Sequence, residues 1–150
     1  MTIEPLRLSF DVHAEQEHAF RTWTEDIDRW WPASHSQSGD PALTVVLEPH
    51  VGGRLYERTT AGVEHDWGVV TTWEPPTLLG YRWHLRRSPE EATHVLLTFV
   101  STGPETTRID VVQSAWERLG SDADSWRGRN HTAWLGLIPH FDNHLEGLHR

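Results

Sequence analysis

The chain has 150 residues and a formal net charge of −9, with 22 acidic residues against 13 arginines and no lysine. This length suits one domain with one core, and the charge argues against nucleic acid or anionic membranes as partners. Because cysteine and lysine are absent, thiolate catalysis, disulfides, lysine Schiff bases and P-loop phosphate binding are excluded.

Targeting and motif signals are also missing from the sequence. The first ten residues carry Glu4 and Arg7 inside an apolar run, and nowhere do eighteen apolar residues follow one another. We therefore expect one soluble, cytoplasmic domain over residues 1–150. The common nucleophile, dinucleotide and zinc-protease motifs do not occur, which excludes most motif-defined enzyme classes.

The N-terminal part is predicted to form a strand followed by short helices. Residues 5–12 alternate apolar and polar, which predicts a half-buried strand. Residues 14–31 have helical spacing, with a break expected near Thr24, and Pro32 ends the pattern. Residues 33–41 have the composition of a loop.

The middle of the chain changes to a period of two and predicts six strands joined by short turns. These strands are expected at 42–49, 53–60, 65–76, 77–85, 93–102 and 106–114. Short connections indicate antiparallel hairpins. By alternation, Trp67, Val69, Thr71 and Trp73 are expected on one face, as are Tyr81 and Trp83, with Arg82 and Arg86 facing solvent.

Residues 122–148 return to helical spacing and form one apolar stripe. The stripe comprises Trp134, Leu137, Ile138, Phe141, Leu145 and Leu148. Pro139 is expected to bend the helix near Leu135 and Gly136. His140 and His144 flank the stripe, and Asp142 points elsewhere, so their spacing is a weak metal signal. The whole pattern predicts an α+β fold, an antiparallel sheet covered by the last helix.

Several stretches together resemble the START-like superfamily, also called SRPBCC or Bet-v-one-like. They are "AFRTWTEDIDRWWP", "GGRLYE", "HDWGVVTTWEPPTLLGYRW", "TRIDVVQSAWERLG" and "RNHTAWLGLIPHFDNHLE". Within it the chain looks most like the Aha-type branch, named for a chaperone ATPase activator. The resemblance implies a helix-grip fold of order β-α-α-β6-α. In that fold a curved sheet of about seven strands wraps the C-terminal helix and leaves an apolar cavity.

The resemblance extends to self-resistance proteins of enediyne antibiotic pathways, through "DRWWP", "GGRLYE" and "FVSTGPETTRIDV". Such proteins are implied to hold a reactive polyketide and to lose a backbone hydrogen to it. Glycines are the favoured donors, and Gly68, Gly80 and Gly103 are the candidates here.

The predicted ligand-binding residues are the aromatic and apolar side chains expected around the cavity, with two polar ones. They are Trp30, Trp67, Val69, Tyr81, Trp83, Phe99, Asn130, His131, Trp134, Ile138 and Phe141. Tryptophan offers a large rigid surface for flat ligands, and a histidine titrates near neutral pH. Of the adjacent Trp30 and Trp31, one is expected to pack inward and the other to form a cavity rim.

Three functions are compatible with the sequence. The leading hypothesis is a noncatalytic binder of a small hydrophobic, aromatic or polyketide-like molecule, without cofactor or metal, as a monomer or homodimer. The second is a polyketide cyclase or aromatase that uses His131 and Asn130. The third is a chaperone ATPase activator that acts through a protein partner, although fold alone does not carry function.

Overall fold

The computed structural model describes residues 3–147 and confirms the predicted helix-grip α+β fold. The strands are β1 (Leu6–Val12), β2 (Thr44–Leu47), β3 (Arg54–Arg58), β4 (Glu64–Glu74), β5 (Leu78–Trp83), β6 (Thr93–Gly103) and β7 (Thr106–Ser114). The α-helices are α1 (Gln16–Thr24), α2 (Ile27–Trp30) and α3 (Ala123–Gly147). Short 3₁₀ helices cover Ala33–His35, Pro89–Glu91 and Trp116–Asp122.

The seven strands form one antiparallel sheet in the order β1-β7-β6-β5-β4-β3-β2. Strands β2 to β7 therefore follow one another as a meander, as their short connections predict. The first strand pairs with the last, so that Leu6 lies opposite Gln113 and Val12 opposite Thr107. This pairing ties the start of the chain to the segment that leads into α3.

Two irregularities in β4 overturn part of the predicted alternation. The register shifts between Leu55 and Tyr56 of β3, whose partners are Gly68 and Asp66, so Trp67 is an extra residue there. A second shift follows Val70. Each extra residue exchanges the two faces of the strand. Trp67 is therefore fully buried while Val69 is 39% exposed, and the prediction that they share a face is wrong.

Helix α3 packs its apolar stripe against the concave face of the sheet, as predicted. Its buried side chains include Trp134, Leu137, Phe141 and Leu145, and Ile138 is half-buried. Leu148, the last predicted member of the stripe, lies outside the described residues. The helix continues through Pro139. Around Phe141, aromatic rings from α1 and α2 fill the core, with Trp23 at 4.9 Å and Trp30 at 5.1 Å between ring centroids.

A helix that crosses a membrane must be both long and apolar. Among residues 3–147, no helix combines the length and the apolar character needed to cross a membrane.

Candidate functional site

A cavity of about 470 Å³ lies beside the N-terminal half of α3. Its wall is built by α3, by the end of β5 and the following loop, by the start of β6, and by all three 3₁₀ segments named above. A volume of this size falls within the range of pockets that hold small organic ligands.

Aromatic side chains make up much of the cavity wall. They are Trp31, Tyr81, Trp83, Trp116, Trp126 and Trp134. The Trp83 ring lies 5.9 Å from that of Trp31 and 5.7 Å from that of Tyr81, both at tilted angles. Broad apolar rings of this kind bury a flat ligand with little loss of side-chain entropy.

A buried glutamine fixes two of these tryptophans from behind. The Gln113 side chain accepts a hydrogen bond from Trp134 Nε1 at 2.9 Å and donates to Thr93 at 3.0 Å and Asn130 at 3.3 Å. Its backbone carbonyl accepts from Trp116 Nε1 at 2.9 Å. Buried polar groups that find partners rigidify their surroundings. This part of the wall is therefore preorganised.

A second polar group, Glu57, supports the wall from the sheet side. The carboxylate is fully buried and accepts a 2.8 Å hydrogen bond from the Trp67 indole, together with bonds from Ser38 and the Gln37 amide. Burial raises the pKa of Glu57, but these hydrogen bonds outweigh it and hold that pKa below its ordinary value. Trp67 in turn packs against Trp31 of the cavity wall, with 5.2 Å between the ring centroids.

His35 is a titratable residue of the cavity wall. Its Nε2 lies 3.2 Å from the Ala133 carbonyl oxygen, which only accepts, so Nε2 carries the proton. Burial lowers the pKa of His35; the hydrogen bond to Ala133 raises it, and His140 and Arg86 lower it further. The net pKa is below the ordinary value, which leaves the ring neutral at pH 7.

Three arginines stand on the cavity wall. Arg87 pairs with Glu91 and, at 3.1 Å, with Asp122. Arg86 donates two hydrogen bonds to the Ser36 carbonyl, at 2.6 and 3.1 Å. The Arg129 guanidinium lies 5.3 Å from the centre of the Trp126 ring, within cation–π range. The cavity thus combines an apolar wall with positive charge in a chain that is acidic as a whole.

The family model described as "Activator of Hsp90 ATPase homolog 1-like protein" matches residues 13–145. The chain belongs to this family. The match covers nearly all of the chain and confirms the Aha-type resemblance inferred from the sequence motifs. Comparison with the curated proteins finds no significant match.

Solved structures support the same assignment. The self-sacrificing resistance protein CalC from Micromonospora echinospora is 29% identical, with a TM-score of 0.74 over 96% of this chain and 95% of that one. The anthrahydroquino-γ-pyrone synthase Txn09 is 32% identical, with a TM-score of 0.61 over 83% and 84% of the two chains. An Hsp90 activator from Plasmodium falciparum is 16% identical with a TM-score of 0.55 over 75% and 73%, which shows the shared fold alone.

Four of the predicted ligand-binding residues lie together on the cavity wall: Tyr81, Trp83, Asn130 and Trp134. Their binding role stays a prediction, but the fold brings them together. Asn130 is held by a 2.8 Å bond to the Trp126 carbonyl and by Gln113.

The other seven predicted residues do not line this cavity within the described part of the chain. Trp30, Trp67, Phe99 and Phe141 fill the core, and Ile138 is half-buried farther along α3. Val69 is on the convex face because of the β4 bulge, and His131 is exposed on α3. Of the adjacent tryptophans, Trp31 lines the cavity, whereas Trp30 packs in the core.

The three glycine candidates also lie off the cavity wall formed by residues 3–147. A Cβ on Gly68 would collide with the Arg82 carbonyl, and one on Gly80 would meet Thr72 at 3.0 Å. Gly103 ends β6 at the hairpin to β7. Close backbone packing therefore explains glycine at Gly68 without reference to a ligand.

Sequence reasoning missed several cavity residues, most of them outside the strands. His35 and Trp116 lie in 3₁₀ segments, Trp126 lies near the start of α3, and Arg86 lies beyond the end of β5 with a positive φ of 66°. Strand alternation therefore does not extend to Arg86, although its side chain is exposed as expected. The abundance of tryptophan outside the strands was the available signal for Trp116 and Trp126.

The histidine pair in α3 lies on the flanks of the stripe, as the helical spacing predicts. His140 is exposed and His144 is half-buried. Across residues 3–147, no group of three or more His, Cys, Asp or Glu side chains could hold a metal ion.

Proposed function

We propose that this protein binds a flat, largely hydrophobic molecule of the aromatic polyketide type in the cavity beside α3. The observation that carries the proposal is the wall of five tryptophans and one tyrosine around about 470 Å³ of space. The biological role that fits such a site is sequestration, in antibiotic self-resistance or biosynthesis. Two relatives near 30% identity, a self-sacrificing resistance protein and a pyrone synthase, support a polyketide context.

The test is a titration with planar aromatic polyketides such as hydroxyanthraquinones, followed by tryptophan fluorescence. Because five indoles line the cavity, a bound ring system quenches emission in a saturable way. We expect dissociation constants in the micromolar range or below, about −8 kcal/mol or stronger. Absence of saturable quenching across a broad panel would contradict the proposal.

A cavity-filling variant supplies the control. Ala133 lines the cavity, so Ala133→Phe places a ring inside it and is expected to abolish quenching. Leu135→Phe adds a ring two residues away on an exposed part of the same helix. The second variant should bind as the native protein does, and equal loss in both would argue against binding in the cavity.

A cyclase or aromatase activity is the second candidate, favoured by the 32% identity to the pyrone synthase. His35 and Asn130 line the cavity and offer a proton acceptor and a hydrogen-bond donor for enolate chemistry. His131, proposed from the sequence, is exposed and less suited. Turnover of a poly-keto substrate that is lost in His35→Ala but kept in His131→Ala would favour this activity over sequestration alone.

A further inference from the structure

The Tyr81 side chain carries a hydroxyl group at the cavity wall. Tyr81 is 2% exposed and lines the cavity. Within residues 3–147 its hydroxyl makes no hydrogen bond, whereas the indole nitrogens of Trp31, Trp116 and Trp134 all do. A hydroxyl that faces a cavity and has no protein partner can bind water or a ligand oxygen there.

The sheet around Tyr81 cannot supply that partner. Its cross-strand neighbours on the same face are Val70 of β4 and Val95 of β6, both buried and apolar. The adjoining ring on its own strand is Trp83, at 5.7 Å. Water or a ligand oxygen in the cavity is therefore the available acceptor.

Burial also fixes the protonation state of this phenol. Desolvation raises the pKa of Tyr81 well above its ordinary value, so the hydroxyl stays neutral over the physiological range. A neutral phenol can donate a hydrogen bond to a carbonyl or an enolate oxygen.

The arginines at the exposed part of the site favour a ligand that carries an acidic group. Arg87 is already neutralised by Glu91 and Asp122. Arg86 and Arg129, by contrast, make no ion pair with any residue in the described range, and both are exposed. Arg86 is anchored on the Ser36 carbonyl and Arg129 on the Trp126 ring, so both guanidinium groups are positioned but not neutralised.

We propose that the cavity selects planar aromatic ketones or quinones that also carry an acidic group. A ring oxygen accepts the hydrogen bond of Tyr81 in the buried part, and a carboxylate or phenolate lies near Arg129 and Arg86 at the exposed part. This inference rests on the proposed function, since it specifies the ligand of the same cavity. Charge-assisted bonds to guanidinium groups then add orientation to apolar burial.

Three commercial probes separate the two polar contacts. Anthraquinone-2-carboxylate has both groups, 2-methylanthraquinone has the ring ketones alone, and anthracene-2-carboxylate has the acid alone. Dissociation constants are measured by fluorescence and calorimetry for the native protein, Tyr81→Phe and Arg129→Gln. Thermal unfolding of each variant checks that the fold is retained; Tyr81→Phe removes one oxygen, and Arg129 is exposed.

The expected pattern is a selective loss. Tyr81→Phe weakens both quinones by about three- to tenfold and leaves anthracene-2-carboxylate unchanged, as for loss of one hydrogen bond. Arg129→Gln weakens both carboxylates by about three- to tenfold and leaves 2-methylanthraquinone unchanged. The carboxylate advantage also shrinks with added salt.

Two other outcomes are distinguishable. If the native protein binds all three probes and each variant weakens the binding of none of them, or of all of them equally, this inference is overturned. The cavity proposal then still stands. Native protein that binds none of them, nor any other planar aromatic compound, overturns both.

Discussion

Gln113 illustrates how single residues set the properties of this site. It is 1% exposed on β7, yet it does not line the cavity. Its side chain instead connects Thr93 of β6 with Asn130 and Trp134 of α3. One amide therefore joins the sheet to the helix directly behind the aromatic wall.

We predict that Gln113→Leu lowers the free energy of unfolding by about 1–3 kcal/mol. The variant leaves the buried Trp134 indole N–H without its acceptor, and an unpaired buried donor costs energy of this order. Urea denaturation monitored by circular dichroism measures the change. Arg108→Gln, an exposed position on the same strand, serves as the control, and an equal effect in both variants would contradict the role given to Gln113.

Glu57 makes the stability of the protein depend on pH. Its pKa is lowered in the folded protein, so it contributes stability that is present above the ordinary value of 4.5 and lost as pH falls through the folded pKa. Native protein should exceed Glu57→Gln in unfolding free energy at pH 7, and the difference should shrink below about pH 4.5. Urea titrations from pH 7 to pH 3 measure it, and a pH-independent difference would contradict the assignment.

Helix α3 has two halves with different environments. The N-terminal half presents Trp126, Asn130, Ala133 and Trp134 to the cavity. Farther along, Phe141 and Leu145 are fully buried in the core. The same apolar stripe thus lines open space in one half and fills a packed interior in the other.

Truncation of Phe141 tests this division. Phe141 contacts the rings of Trp23, Trp30 and Phe10. We predict that Phe141→Ala lowers the free energy of unfolding by about 3–5 kcal/mol, the usual cost of emptying a packed aromatic site. Leu135→Ala, 58% exposed on the same helix, should stay within about 0.5 kcal/mol. A small loss at Phe141, measured by the same denaturation, would show that space already exists around it.

The elements were largely predictable because their patterns are local. Period-two runs located all seven strands, and the break near Thr24 separates α1 from α2 as expected. The bulges in β4 were not predictable, since one extra residue at Trp67 depends on the partner strand and leaves no local signal. That single residue accounts for the misplacement of Val69.

The site was predictable only in part, because a cavity is a property of the whole molecule. Periodicity placed Tyr81 and Trp83 on one inward face and Trp134 on the inner face of α3. It could not separate wall from filled core, which is why Trp67, Phe99 and Phe141 were included. His35 reaches the cavity through a loop whose path depends on long-range contacts with Ala133 and Glu57.

The nine tryptophans of the chain divide into those that line the cavity and those that pack elsewhere. Five line the cavity: Trp31, Trp83, Trp116, Trp126 and Trp134. Of the others, Trp23 packs in the core against Trp30 at 4.7 Å, and Trp73 packs against Phe20 at 5.3 Å. This division turns the indole N–H groups into reporters of where a ligand binds.

Binding in the cavity beside α3 can be followed through the indole N–H signals of ¹⁵N-labelled protein during titration with anthraquinone-2-carboxylate. Single Trp→Phe variants assign the signals. We predict the largest shifts at the five cavity tryptophans, above all Trp83, Trp126 and Trp134, with little change at Trp23 and Trp73. Shifts concentrated at Trp73 or Trp23, or no saturable shift at any indole, would contradict binding in the cavity beside α3.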